Sequence, residues 1–497
     1  MVQQPGHDTD PRGIPLPARR RFLQGEPMTE PLPISQWLRN TPYRDPRMMQ
    51  APEQDAETRK ALELAVRVGE LMLRCGAATR NVETAVIAVA AATGLRRLEL
   101  DITAQSLLLQ CPMPDGSPVT MLRVVRSNTR DFARLTAVHE LVQDLVKEGI
   151  DDLDVAHNRL RAIQREPRPY PHWLVALGYA GLAGSVCALL GGGPFAIVIA
   201  IVSALVIDVV DQRLDRRGLP SFFIAGAASA IAIALAWLGF LVAAHGWLGL
   251  HMTPADFAYA VSGGIVVLLP GQSLASSVED GITGYPITGA GRLLTVALST
   301  SGIIAGVAIG LSITLRLDDV LNLDLTSPKA LNFSTAPTGI WLQIICGAIG
   351  ALAVAVTLRL RPRHLLPAAS LGAVAAGIAA SAHQAAGLGA TTGVALAATI
   401  MGVCARLFGA RLGAPALVMV LPAVTPLLPG LRIFRGMYDS VAGSIVGNAA
   451  VGPGEATSTL LGAAAVALAI SAGVVLGDVL AAPLDGSVVR RRHARRR

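Results

Sequence analysis

Charge is scarce in this chain. Of 497 residues, 15% are Asp, Glu, Lys or Arg, against 52% hydrophobic. Soluble domains carry about 25% charged residues, so the deficit excludes an ordinary soluble enzyme. Aromatic residues are few as well, at 4%. The five cysteines (Cys75, Cys111, Cys187, Cys346 and Cys404) lie far apart and form no Cys-x-x-Cys pair. Such spacing argues against a disulfide framework and against a zinc site. No phosphate-binding loop of the Walker type is present, which removes the ATPase class. No cofactor is expected. The N-terminus lacks the basic, apolar and small-residue order of a signal peptide, so it is expected to stay in the cytoplasm.

What the chain has instead is apolar length. Mean hydropathy is +0.50. From Pro171 onward ten apolar segments follow, at about 173–190, 193–210, 220–244, 257–270, 290–315, 338–358, 365–382, 386–407, 412–429 and 456–482. A helix needs about 20 residues to cross the bilayer core, and several of these are marginal. The expected fold is a polytopic α-helical membrane protein. It has ten transmembrane helices as two inverted five-helix repeats, plus a small N-terminal α+β cytoplasmic domain.

The chain divides accordingly. Residues 1–50, rich in Pro, Arg and Gln, read as a disordered tail. Residues 51–170 hold the α+β domain and its linker. Helices are expected at Glu57–Cys75, ended by Gly76, and at Asn81–Ala92, ended by Gly94. Strands follow at 98–103, 106–111 and 119–125, with Pro114-Asp115-Gly116 as a hairpin turn. Two more helices are expected at 131–148 and 151–164. Residues 171–316 and 338–483 are the two membrane repeats, joined by an external loop at 317–337. Residues 484–497 are a basic tail.

Charge placement sets an orientation. If residues 1–170 are cytoplasmic, so are Arg213, Arg216, Arg217, Arg359, Arg361, Arg363 and Arg411, while the opposite loops at 245–256 and 383–385 hold no Lys or Arg. That is the positive-inside bias. Six of the last eight residues are Arg, a cytoplasmic membrane flank rather than a nucleic-acid site. A multi-pass protein of the plasma (inner) membrane is expected, with both termini cytoplasmic.

One string recurs. Leu268-Leu269-Pro270-Gly271 returns 159 residues later as Leu427-Leu428-Pro429-Gly430, and Asp280 and Gly284 align with Asp439 and Gly443. Five segments per half is an odd number, so the second half must enter the membrane inverted. That places the two copies at opposite faces. Inverted repeats with short or Pro-broken segments mark secondary transporters. Proline frees a backbone carbonyl, which suits an ammonium group, and a helix N-terminus suits a carboxylate.

The substrate or gating candidates are therefore Pro270, Gly271, Ser273, Ser277, Glu279, Asp280 and Gly284, with Pro429, Gly430, Arg432, Arg435 and Asp439. Glu279 and Asp280 could meet an amine or relay a proton. Arg432 and Arg435 could grip a carboxylate. Glu455 is the proton-coupling candidate. Each also has a plainer reading: a helix cap at the membrane edge, loop carboxylates, an arginine paired with Asp439, an acid on a helix dipole. In the α+β domain Asp101, Ser106 and His139 are the residue types of a triad, but their spacing supports no catalytic set.

Several stretches resemble the threonine/serine exporter family. They are Val68-Gly69 through Gly76-Ala77 to Arg80-Asn81-Val82-Glu83, the first Leu-Leu-Pro-Gly, Asp280-Gly-Ile-Thr-Gly284, Gly289-Ala-Gly291-Arg292-Leu293, and Pro426 to Gly430 with Arg435-Gly436. The resemblance runs from about residue 57 to 482. It implies antiport of L-threonine and L-serine outward, driven by the proton motive force. The implied partners are small-molecule substrate, protons and the lipid bilayer. Asn81 stands where the family pattern has Arg, with Arg80 one position early. Some relatives split the two halves between chains and are associated with dicarboxylate export, so threonine, serine or a succinate-like dicarboxylate stays open. Also open are a membrane-anchored hydrolase using the N-terminal domain, a membrane scaffold, and a homo-oligomer.

Overall fold

The computed structural model describes residues 53–95, 97–103, 105–112, 118–125, 129–149, 152–244, 251–321, 339–384, 387, 389–428, 432, 434–436 and 453–494. The expected tail 1–50, the hairpin turn at Pro114-Asp115-Gly116, residues 322–337 of the connecting loop, and Pro429, Gly430 and Asp439 lie outside them; residues 317–321, expected in that loop, extend the helix before it.

The N-terminal unit is built of α1 (Glu53–Arg74), α2 (Thr79–Ala92), β1 (Glu99–Ile102), β2 (Ser106–Pro112), β3 (Pro118–Val124), α3 (Phe132–Glu148) and α4 (Leu153–Arg165). Gly76 and Gly94 both sit at φ +84°, a left-handed turn that glycine adopts at little cost. Each ends its helix where the sequence predicts. The sheet is antiparallel in the order β1-β2-β3, with Leu108 opposite Leu122 and Leu109 opposite Met121. Leu107 and Leu109 are buried while Leu108 and Leu122 are exposed. That alternation is the two-residue period of a half-covered strand. The covered side packs on α1, where a Cβ on Gly69 would lie 2.6 Å from Leu107.

The apolar segments become α5 (His172–Leu190), α6 (Pro194–Asp215), α7 (Ser221–Ala244), α8 (Pro254–Val266), α9 (Gly271–Ile282), α10 (Pro286–Leu321), α11 (Ile340–Thr357), α12 (Pro362–Gln384), α13 (Ala390–Leu412), α14 (Ala416–Val424) with a 3-10 turn at Thr425–Leu427, and α15 (Pro453–Ala494). Among the described residues, eight helices are long and apolar enough to cross a membrane, or nine if α8 and α9, bent by 61°, form one span. Of the ten expected transmembrane helices, the described residues thus show eight or nine. At a rise of about 1.5 Å per residue, the 13 residues of α8 and the nine of α14 are each too short for the hydrocarbon core. Both end at a Leu-Leu-Pro-Gly copy.

The two halves share one pattern of helix neighbours. In the first, α5 packs on α6 and α8, α6 on α7 and α8, and α7 on α8 and α10; in the second, α11 packs on α12 and α14, α12 on α13 and α14, and α13 on α14 and α15. Glycines permit the closest approaches. A Cβ on Gly306 of α10 would stand 2.0 Å from the Gly226 carbonyl of α7, and one on Gly477 of α15 would stand 2.1 Å from the Thr399 carbonyl of α13. Helices in lipid gain little from the hydrophobic effect between them, so small residues that let backbones touch supply the packing. The halves meet chiefly through α5 against α11.

The N-terminal unit is not a loose appendage. One buried apolar cluster runs from Leu62 and Val66 of α1 through Leu358 and Leu360 to Val418 and Met419 of α14.

Candidate functional site

Gly271 of the first Leu-Leu-Pro-Gly copy lies beside Leu428 of the second. A Cβ on Gly271 would lie 2.9 Å from Leu428 Cδ1. The expectation that the two copies sit at opposite faces is therefore corrected. The chain just after α8 and the chain just after α14 lie side by side. Nearby, a Cβ on Gly350 of α11 would lie 2.9 Å from both Pro426 Cγ and Ser185 Oγ of α5. Residues from both halves converge at this crossing.

The backbone there is irregular in the way the prolines dictate. Pro270 precedes α9, no side chain caps that helix, and the Gly271 N–H turns back to the Leu269 carbonyl at 2.8 Å. The next N–H groups of a helix start have no intrahelical acceptor. On the other side Pro422 lies inside α14, which leaves the Val418 carbonyl without its helical donor. The first half thus supplies freed donors at the start of α9 and the second a freed carbonyl in α14, the two kinds of backbone group that a substrate with both charges requires. Ser277 is buried and donates to the Leu274 carbonyl at 2.8 Å. Ser276 is buried, and its hydroxyl has no partner among the described residues. Ser273 is half-buried.

Asp280 is used differently from its neighbours. It is wholly buried, accepts the Thr79 N–H at 2.8 Å, and stands 2.8 Å from Arg292 Nη1. The second contact lacks hydrogen-bond alignment, so the attraction there is Coulombic. Its first oxygen caps α2 of the N-terminal unit, where a carboxylate suits the helix dipole. Gly284, at φ +102°, turns the chain after α9 and lets the Tyr285 N–H reach the Asp280 carbonyl at 2.8 Å. Tyr285 then donates its hydroxyl to Glu83. Burial, and then that hydrogen bond, push the Tyr285 phenol up from its ordinary range.

A second docking point uses the other half. The Phe132 and Ala133 N–H groups that begin α3 donate to the Leu358 and Arg359 carbonyls at 2.9 and 3.1 Å. Arg359 adopts φ +56° to present them, a conformation that costs a residue with a Cβ. Arg361 and Arg363 both pair with Glu140 of α3. The N-terminal unit is thus held by one helix N-terminus on each half.

Between the two docking points lies a cavity of about 780 Å³. It is walled by α2 and α3 on one side and by α9, α13, α14 and α15 on the other. Glu279 faces it, half-buried, and no ion pair engages its carboxylate among the described residues. Arg406 and Asp478 face it as a pair at 2.8 Å. His139 faces it too, its imidazole pulled below the usual range by burial.

The remaining candidates are spread out. Arg432 is half-buried and Arg435 exposed. Glu455 falls in the first turn of α15, its side chain outside the described part. Asp101, Ser106 and His139 form no hydrogen bond with one another among the described residues; Ser106 pairs with Thr103 and His139 with Gln143. Sequence reasoning missed Thr79, Tyr285 and Asp478. The only available signal was a charged or polar residue beside an apolar run.

Residues 63–314 match the family described as putative threonine/serine exporter, and residues 343–480 match that described as threonine/serine exporter. The chain is 34% identical over 439 residues to a probable threonine/serine exporter of Mycobacterium tuberculosis, covering 86% of this chain and 78% of the relative. It is 31% identical over 437 residues to a threonine/serine exporter of Corynebacterium glutamicum, with 84% and 82% covered. A probable succinate transporter subunit of Escherichia coli, YjjP, is 27% identical over 271 residues, 53% of this chain and 97% of that protein. No solved structure matches.

Proposed function

This chain belongs to the threonine/serine exporter family, multi-pass membrane proteins that export amino acids, and we propose that it carries L-threonine and L-serine outward through the crossing of its two broken helices. The contact of Gly271 with Leu428 carries this reading. Broken helices that meet from two halves of a repeat are where secondary transporters hold substrate, near the midplane.

In this reading the halves are inverted repeats and the N-terminal unit is cytoplasmic, on the side of the arginine-rich loops. The freed Val418 carbonyl favours the substrate ammonium, and the start of α9 favours its carboxylate. The pair of Leu-Leu-Pro-Gly breaks acts as two half-gates, with Arg432, Arg435 and Asp439 on the outer side. The driving force is the proton motive force, and Glu455 is the coupling group. Proteoliposomes with an imposed pH gradient test that part: Glu455→Gln should exchange labelled for unlabelled threonine normally but fail to accumulate it against its gradient. Gradient-driven accumulation by that variant would remove Glu455 from the coupling step.

A succinate-like dicarboxylate is the second reading. The similarity to the Escherichia coli succinate transporter subunit favours it.

A further inference from the structure

The cavity behind the crossing is lined by two residues of opposite charge, Arg80 and Glu279, that feel each other's field without forming an ion pair among the described residues. Arg80 of α2 lines it, and among the described residues its guanidinium makes no ion pair. Glu279 of α9 lines it, its carboxylate likewise unpaired among the described residues. Their relative position is fixed by their neighbours: the Thr79 N–H is bonded to Asp280 at 2.8 Å, so the adjacent residues Arg80 and Glu279 are carried to the same opening. Of the other charges on the wall, Arg406 and Asp478 pair with each other at 2.8 Å, and Lys147 is exposed to solvent. A volume of about 780 Å³ falls within the range of small-molecule pockets, about 300–1,000 Å³.

We propose that this cavity is a loading site for a zwitterionic α-amino acid, with Arg80 binding the carboxylate and Glu279 the ammonium. The proposal rests on the exporter reading above and adds a site distinct from the helix crossing. Arg presents parallel donors to a carboxylate, and a half-buried carboxylate without a counter-ion is a ready acceptor for an ammonium. A dicarboxylate would set its second carboxylate against Glu279, a repulsion that discriminates against it. The Asp280–Thr79 bond positions the pair without touching substrate.

The test uses the full-length protein in proteoliposomes and labelled L-threonine counterflow. Arg80→Gln and Glu279→Gln should each raise the half-saturating threonine concentration by about ten-fold or more, with smaller rises for Arg80→Lys and Glu279→Asp. Two unlabelled competitors separate the roles: the amino alcohol that lacks threonine's carboxylate, and the hydroxy acid that lacks its ammonium. Wild type should prefer threonine to both. Arg80→Gln should lose only the preference over the amino alcohol, and Glu279→Gln only that over the hydroxy acid. If the variants slow transport but leave half-saturation and both preferences unchanged, the charges are structural and the proposal is overturned. If wild type itself transports no amino acid, it is the exporter reading that fails.

Discussion

Gly271 and Leu428 are 157 positions apart in the chain, yet the space for a Cβ on the glycine ends 2.9 Å from the leucine's Cδ1. A methyl group there meets only the far end of a flexible side chain, which can turn aside. Gly271→Ala should therefore keep most threonine transport. Gly271→Val puts a branched wedge between the two breaks, and overpacking of this kind costs about 1–3 kcal/mol. Transport by Gly271→Val should fall at least about ten-fold while the amount of folded protein in the membrane stays near wild type. Equal rates for the two variants would mean that the crossing does not lie on the route.

Asp280 and Arg292 should behave as a buried pair. Asp280→Asn keeps an oxygen for the Thr79 N–H but leaves the arginine without its counter-charge. Breaking such a pair from one side costs about 3–5 kcal/mol, read as a lower thermal unfolding midpoint in detergent. Adding Arg292→Gln should recover part of the loss. A double variant as unstable as the sum of the singles would show that the two residues do not interact.

Glycine contacts between helices give a third expectation. At Gly306 and Gly477 an added Cβ meets backbone carbonyls at 2.0 and 2.1 Å, and a carbonyl in a helix cannot turn aside. Gly306→Ala and Gly477→Ala should each cost about 3 kcal/mol or more of stability, seen as reduced folded yield by fluorescence-detected size exclusion. Gly462→Ala, where nothing lies within 4 Å, is the matched control and should be neutral.

Cys75 should be chemically silent. Burial, and then the charge of Asp131, raise its thiol to about 12. At pH 8 almost none of it is thiolate, the reactive form. Labelling with a maleimide should spare Cys75 in the folded protein and reach it only after denaturation. Rapid labelling under native conditions would contradict the burial of α1 against the rest of the molecule.

Much of this architecture was legible in the sequence, and the limits have physical causes. Periodicity and the terminating glycines Gly76 and Gly94 located the helices of the N-terminal unit to within a few residues. Apolar runs located the helices of the membrane part. The segments before Pro270 and Pro429 were legible as short or Pro-interrupted, since each proline removes a helical donor, and they form the short helices α8 and α14. Parity of segments nonetheless sent the two breaks to opposite faces, since it treats each segment as a full crossing. Asp280 was legible as a charged residue near a break, but not as the cap of α2. Its partner Thr79 lies 201 positions away, and nothing local announces such a contact. Arg406 and Asp478, 72 positions apart, were hidden for the same reason.

The central claim is that this protein moves small polar amino acids. Counterflow tests it most directly. Proteoliposomes loaded with unlabelled L-threonine should take up labelled L-threonine and L-serine faster than empty ones, with succinate uptake well below both. Uptake of succinate alone would move the substrate to the dicarboxylates, and no uptake of any of the three would contradict the account.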